Sequence, residues 1–307
     1  MFNDYLKTMN NLKAVFSVKD LENLSGIKAH TIRIWEKRYA IFSPSRDENN
    51  IRSYNSDDLL KLLNISFLNS FGYKISKISS LSIEEINDLV KQIYSDKNNA
   101  SLAITSLKYA MFNFNDTLFH ENYEKLAKTK TFETIFYEVF APLLDEIGVL
   151  WQTSTLKPIH EHFISSLIRQ KLYTEIEQVS KKEKNNKKKV FVLYLPFNEI
   201  HELGLLFINY ILLNRGYNTI FLGESVPMED LEDMETYFEE VCFVSYFTVQ
   251  PENEEVDNYL EKFSERILKG TPNKLFVLGK KVQQVTKKYN GITLYSGIQN
   301  LALDLEN

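Results

Sequence analysis

Cys242 is the only cysteine among 307 residues. No intramolecular disulfide can form, and a reducing compartment is expected. The opening residues lack a basic-then-apolar leader, and no apolar run approaches the ~18 residues a spanning helix needs. The expectation is a cytoplasmic protein with no membrane partner. Phosphate-cradling glycine loops and nucleophile–base pairs are missing too, which argues against an enzyme. No internal repeat or low-complexity stretch occurs outside Lys181–Lys189.

What is present is apolar and unevenly charged. Hydrophobic residues make up 44% of the chain, with 21 Phe and 17 Tyr, enough for two or three packed domains. The net charge of −5 hides an asymmetry: residues 11–80 carry eleven Lys/Arg against seven Asp/Glu, a balance of +4, and the remainder sums to −9. A basic head on an acidic body suits a DNA-binding domain joined to something else.

In the head, Ser17-Val18-Lys19-Asp20 places a hydroxyl three residues before a carboxylate, a capping-box start for a short helix through Leu24. Gly26 permits a turn. Thr31–Tyr39 reads as a second helix with Ile32, Ile34 and Trp35 apolar, Trp35 being expected in the core. Two short strands are expected between Phe42 and Tyr54, around Asp47-Glu48-Asn49-Asn50, where Asn adopts positive φ at little cost. Ser56-Asp57-Asp58 should cap a further helix, Leu59–Asn69. Two helices joined by a tight turn suggest a helix-turn-helix. Its second helix carries His30, Thr31, Arg33, Lys37 and Arg38 on or near it, and a basic loop with Arg46 and Arg52 follows. Arginines there can clamp phosphates, while helix residues facing base edges supply sequence choice.

Thr31-Ile32-Arg33-Ile34-Trp35-Glu36-Lys37-Arg38-Tyr39, Pro44-Ser45-Arg46, Arg52-Ser53-Tyr54 and Asp57-Asp58-Leu59, in this order and spacing, resemble the MerR-type winged helix over about residues 15–82. The Trp-Glu-Lys-Arg-Tyr run resembles its carotenoid-regulator branch. The resemblance implies a double-stranded DNA operator as partner, with Arg33, Arg38 and Tyr39 facing groove or backbone and Arg46, Arg52 and Tyr54 acting from the wing. Asn50 stands where the family usually has a glycine.

Residues 83–178 are helical by period. Ile135, Phe136, Val139, Phe140, Leu143, Leu144, Ile147 and Leu150 recur at three and four within Phe132–Trp151, and Ile159, Phe163, Leu167 and Ile168 mark a helix over about Lys157–Val179. A helix bundle is expected. Lys181–Lys189 has no apolar residue and reads as a linker, with a nucleic-acid patch as its functional alternative. Beyond it, expected strands at 190–195, 219–222, 243–247, 275–278 and 293–295 alternate with helical segments at about 202–215, 228–239, 254–268 and 281–288. That is a doubly wound parallel sheet. The fold class is therefore multidomain α plus α/β: a winged helix-turn-helix over 1–82, a helical bundle over 83–180, a linker over 181–189 and a Rossmann-like sheet domain over 190–307.

His201 lies in Glu199-Ile200-His201-Glu202-Leu203-Gly204, directly after the first of these strands. Ligands in such sheets bind at the carboxyl ends of strands. An imidazole there can offer a ring nitrogen to a metal, Glu199 can hold the ring's other N–H, and Gly204 lets a bulky ligand approach the backbone. Read with Phe221-Leu222-Gly223 and Val226-Pro227, this loop is similar to the cobalamin-binding domains of methionine synthase and of the CarH/LitR-type light-responsive regulators. The resemblance implies His201 as the lower ligand of cobalt. It places Glu199, Gly204, Gly223, Ser245 and Gly279 around the cofactor, the last two at the slot for its nucleotide tail. Phe247 and Lys280 depart from that pattern and put bulk where the tail should insert, unless the Lys280 side chain points outward. Trp151 and, ten residues later, Glu161-His162 resemble the Trp-x9-Glu-His signature of the helical module that caps the cofactor. Gln152 stands where the photoreceptors carry a histidine able to ligate cobalt after photolysis, and an amide is a poor cobalt ligand.

The implied function is a non-enzymatic, one-component transcriptional regulator. Its carboxy-terminal half binds adenosylcobalamin, sets a dimeric or tetrameric state and so controls operator binding in response to light. Other cobalamins, or none, are the alternatives. Phe247, Lys280 and Gln152 motivate a cobalamin-independent regulator whose sheet domain serves self-association or a partner protein. A corrinoid methyl-carrier subunit is a third reading, opposed by the Trp-Glu-Lys-Arg-Tyr head.

Overall fold

The computed structural model describes residues 15–97, 100–152, 156–183 and 186–305, and for 91–97, 151, 152, 186–188 and 235 the backbone alone. The chain divides into two compact units, Met1–Leu167 and Ile168–Asn307.

In the first unit α1 (Val18–Ser25) opens on the expected capping box. The Ser17 hydroxyl accepts from the Asp20 N–H at 3.1 Å, and the Asp20 carboxylate accepts from the Ser17 N–H at 2.7 Å. Gly26 ends the helix at φ 74°, the left-handed region that favours glycine. The N-cap residue of α2 (Ala29–Tyr39), Lys28, gives no side-chain cap; Glu22 of α1 accepts the Ala29 N–H at 3.3 Å instead. The wing is an antiparallel ribbon, β1 (Ser45–Arg46) with β2 (Arg52–Ser53). Its turn is held by the Asp47 carboxylate, which accepts from the N–H groups of Asn49 and Ile51, with Asn50 at φ 61°. The next helix, α3 (Ser56–Ser70), starts earlier than expected: Asn55 caps it in a box with Asp58, and Ser56 is already helical. Leu21, Ile32, Trp35, Leu59 and Leu62 are buried in this head, so Trp35 is a core residue as anticipated.

The bundle helices follow: α4 (Ile83–Lys97), α5 (Ala100–Phe112), α6 (Asp116–Ala127), α7 (Ala141–Gln152) and α8 (Pro158–Ser180). One α-turn at Phe132–Ile135 and a π-turn at Phe136–Phe140 lead into α7. The apolar period hides the π-turn, because Phe136, Val139 and Phe140 stay buried through it. Ile159, expected on the inner face of α8, is exposed in its first turn.

In the second unit β3 (Asn186–Pro196) begins ahead of Val190, so part of the Lys-rich run is strand and not linker; Lys189 pairs in register with Glu240. The sheet also contains β4 (Tyr217–Val226), β5 (Glu240–Tyr246), β6 (Lys274–Leu278) and β7 (Ile292–Leu294). All five strands are parallel, in the order β4-β3-β5-β6-β7. On one face α9 (Leu203–Asn214) sets Leu205, Ile208 and Leu212 against Phe191, Leu193 and Val244. On the other, α10 (Val256–Phe263) sets Val256, Leu260 and Phe263 against Val192, Tyr194, Phe243 and Val277. This is the doubly wound sheet. Two expected helices are only 3₁₀ turns, Met228–Thr236 and Lys280–Gln284. The first carries five acidic residues in nine, whose repulsion at helical spacing disfavours an α-helix. A closing helix, α11 (Ile298–Asp304), was not foreseen. Because β4 and β5 flank β3 on opposite sides, the ligand crevice of such a sheet lies beyond the carboxyl ends of β3 and β5. Among the described residues no helix is long and apolar enough to cross a membrane.

Candidate functional site

At that crevice Glu199 is completely buried between β3 and α9. Its Oε1 accepts from the N–H groups of Ile200 and His201 at 2.9 and 3.0 Å and lies 2.5 Å from His201 Nδ1. Its Oε2 accepts from the N–H groups of Thr248, Val249 and Gln250, just past β5, at 3.2, 2.6 and 2.8 Å. Burial pushes the carboxyl pKa up, but the His201 ring and the N–H groups of Val249, Gln250 and His201 outweigh it and hold it at about 2. An ionised Glu199 keeps the proton on Nδ1, so Nε2 is the ring nitrogen that could meet a metal. The imidazole itself is 43% exposed. Phe197 and Ile200 beside it and Val249 on the facing loop are exposed apolar residues. Ser225 braces this loop from β4: its N–H donates to the Glu199 carbonyl at 3.1 Å, and its hydroxyl accepts from the Asn198 N–H at 3.1 Å.

The chemistry of this donor set can be weighed against a corrin. Among the described residues no group of three or more His, Cys, Asp or Glu could hold a metal ion. A corrin brings cobalt with its ring ligands already in place and asks one further nitrogen of the protein. One outward imidazole with a fixed tautomer, set among apolar side chains, fits the lower face of such a group.

The slot residues behave differently. Ser245 is fully buried at the end of β5 and donates to the Tyr194 carbonyl at 3.0 Å. Gly223, at φ 83°, pairs with Tyr194 where the β3–β4 register is irregular. Gly204 faces Tyr246, whose Cζ would lie 2.9 Å from an added Cβ. Gly279, at φ 101°, faces the Phe247 backbone; a Cβ there would run into its carbonyl oxygen and come within 2.8 Å of its nitrogen. Both glycines thus make room for the chain's own residues. Phe247 is fully buried, whereas Lys280 is exposed and adds no bulk inside. The residues fit axial ligation, and Ser245, Gly204 and Gly279 lie at the carboxyl edge of β5 and β6 against the chain's own Tyr194, Tyr246 and Phe247.

In the helical unit Glu161 is half-buried and His162 exposed on α8. Trp151 and Gln152 close α7, and their side chains lie outside the described residues.

On the head, His30, Arg33, Lys37, Arg38 and Arg46 are exposed, and Thr31, Tyr39 and Arg52 half-buried. The Arg38 guanidinium lies over the Tyr39 ring, 5.4 Å from its centroid. Ile34, an apolar residue of the expected helix, is exposed, and its spacing puts it on one face with His30, Arg33 and Lys37. Tyr54 requires a correction. It is 1% exposed, its ring packs edge-on against Phe42, and its hydroxyl donates to Glu36 at 3.0 Å. It is a core residue and cannot touch DNA from there. Arg52 Nε donates to both Glu36 oxygens at 3.1 Å, and Arg46 lies 3.8 Å from the same carboxylate. Glu36 therefore ties the wing to α2. Sequence reasoning missed it, although an acid set inside the basic run Trp35-Glu36-Lys37-Arg38 was the available signal.

A MerR-type head, a helical module and a corrinoid-type parallel sheet define a class. Residues 16–85 match the model of the MerR HTH family regulatory protein, and residues 103–174 that of the B12 binding domain. The chain is a DNA-binding regulator of the MerR type with a B12-binding domain. It is homologous to two repressors of Myxococcus xanthus. Identity is 27% over 219 residues with the HTH-type transcriptional repressor CarH, covering 68% of this chain and 70% of that protein. It is 24% over 220 residues with the repressor CarA, covering 70% of each. Among solved structures, the monomethylamine corrinoid protein of Methanosarcina barkeri shares the fold, with TM-score 0.55 and 15% identity over 68% of this chain and 99% of that one.

Proposed function

We propose that this regulator takes adenosylcobalamin at His201, and that light-dependent occupancy controls self-association and hence operator binding. The Glu199–His201 pair carries the reading: a saturated, buried carboxylate orients an outward imidazole at the switch point of a corrinoid-type sheet. His201 would ligate the cobalt, with Phe197, Ile200 and Val249 supplying apolar surface. The group, when bound, would supply a light-sensitive cobalt–carbon bond. On the helical unit, Trp151, Glu161 and His162 are the residues proposed to contact the upper ligand.

A ligand that binds the assembled form more tightly pulls the equilibrium toward it. Two or four heads on one assembly then gain affinity through effective concentration. On each head His30, Thr31, Arg33, Lys37, Arg38 and Tyr39 would meet the groove or its backbone, and Arg46 and Arg52 the phosphates. CarH and CarA are named as transcriptional repressors; repression without catalytic turnover is the role proposed here.

The test is to mix the purified protein with adenosylcobalamin in the dark, desalt it, and record visible spectrum and light scattering before and after green light. Retained corrinoid, with a light-dependent change in mass, is the expected result. Loss of the corrinoid on desalting, with operator binding intact, overturns the proposal in favour of a cofactor-free scaffold.

A further inference from the structure

We propose that Ile34 reads a thymine: its side chain packs on the C5-methyl group of one thymine in the major groove and so fixes that base in the operator. This inference rests on the reading of α2 as the helix that enters the groove, and it adds a specificity-determining residue to the contacts named above.

Between Ala29 and Arg38, α2 carries three large apolar residues. Ile32 and Trp35 are buried and hold the helix to the head, whereas Ile34 is 52% exposed. Helical spacing puts Ile34 in one stripe with His30, Arg33 and Lys37, and all four are exposed. An aliphatic side chain therefore stands in the middle of the basic face, turned from the core, where it adds little to the stability of the fold. Arg38, one turn further on, sets its guanidinium over the Tyr39 ring, 5.4 Å from the centroid, and leaves Ile34 half uncovered.

The charge around this residue selects what can cover it. Glu36, the acid of α2, accepts from Arg52 Nε and from the Tyr54 hydroxyl and lies 3.8 Å from Arg46, so the wing neutralises it. The face that bears Ile34 is left basic. A surface complementary to it is anionic with an apolar spot at its centre. The major groove of a duplex has that form: phosphates line its rims, and the thymine methyl is the apolar group among its base edges. His30, Arg33 and Lys37 can meet phosphates or acceptor atoms of the bases and gain nothing from a methyl group. Ile34 offers neither donor nor acceptor and gains from the methyl alone. Opposite the amino group of cytosine or adenine it would strand a desolvated donor, which discriminates against those bases.

The experiment selects operator sequences from a randomised duplex pool with the full-length protein, in the dark with and without adenosylcobalamin. Each thymine of the selected operator is then replaced in turn by deoxyuridine, which lacks only the methyl group. Binding of wild type, Ile34→Ala and Ile34→Val is titrated on every duplex. Expected for wild type is a loss of about fourfold at one thymine in each repeat that a head occupies, the scale of one buried methyl group. Ile34→Ala should bind the thymine operator more weakly by at least that factor and no longer distinguish thymine from deoxyuridine there. Its salt slope should match wild type, because no phosphate contact is lost. Ile34→Val, still branched and apolar, should keep the distinction. Three results overturn the inference and leave the basic residues of α2 as its DNA contacts: wild type binding every deoxyuridine duplex as tightly as the thymine operator, Ile34→Ala keeping the wild-type preference, or a flattened salt slope in Ile34→Ala. Failure to enrich any sequence overturns the groove reading of α2 together with the inference.

Discussion

Glu199 binds the ring of His201 through one carboxylate oxygen and three backbone N–H groups of the Thr248–Gln250 loop through the other. One side chain therefore orients the imidazole and closes the crevice loops of β3 and β5 onto each other. Glu199→Gln has a single acceptor oxygen for both tasks. Whichever way the amide turns, its NH₂ faces donors, and either the loop N–H groups or the imidazole and its neighbours lose their acceptor. The expected cost is roughly 2–4 kcal/mol for unsatisfied buried donors, read by chemical denaturation without any corrinoid. A loss below about 0.5 kcal/mol, the scale of an ordinary surface substitution, would show that the loops close without this carboxylate.

The same carboxylate sets a pH dependence. Its folded pKa is depressed to about 2 from an ordinary 4.5. The stability it contributes is fully present above the unfolded value and is lost as pH falls from there through the folded value. The full contribution is on the order of 3 kcal/mol. Denaturation of wild type and Glu199→Gln should therefore converge on acidification across this window. A gap between them that stays constant down to the lower pKa would assign the stabilisation to packing and not to charge.

His201→Ala separates ligation from folding. The imidazole is exposed but also hydrogen-bonds the buried Glu199 carboxylate, so its removal should cost roughly 1–2 kcal/mol of stability, with the chain still folded, while corrinoid retention after desalting drops. Retention equal to wild type would falsify the axial assignment.

The pattern of the chain made part of this legible. Glu199, His201 and Gly204 stand within six residues after a continuous apolar run, so the strand, the turn and the ligand geometry are local. The Thr248–Gln250 donors are 49 to 51 residues further on, and only the adjacency of β3 and β5 brings them to Glu199. The same holds for Tyr246 against Gly204. Of the two departures, Phe247 is buried and Lys280 exposed, the outward course that a charged side chain at a strand end can take and a phenyl ring avoids. Tyr54 was misassigned for a related reason. A tyrosine after two wing residues can face either side of a two-residue strand, and its bridge to Phe16 turns it inward.

Arg52 has two possible roles with different signatures. Its Nε is engaged by Glu36, so the guanidinium's terminal nitrogens are the ones proposed for phosphate. Arg52→Ala should weaken DNA binding similarly across sequences and flatten the salt slope by about one unit if a single phosphate is neutralised. A falling melting temperature with an unchanged slope would make Arg52 a strut of the wing and remove it from the contacts.

Lys108 joins the head to the bundle within the first unit. Its side chain is 11% exposed; its ammonium donates to the Leu24 carbonyl of α1 at 3.4 Å and pairs with Glu146 of α7 at 2.6 Å, and Glu146 is 47% exposed. The two partners are therefore unequal. Removing Lys108 leaves a carboxylate that water can solvate, whereas removing Glu146 leaves an ammonium that is mostly buried with one carbonyl to meet it. Lys108→Met, close in length and apolar, should cost less than about 1 kcal/mol, and Glu146→Ala roughly 1–3 kcal/mol. Denaturation of the two single variants and the double variant checks the ordering. A larger loss for Lys108→Met than for Glu146→Ala would mean that the bond to Leu24, and not the ion pair, is what holds α1 to the bundle.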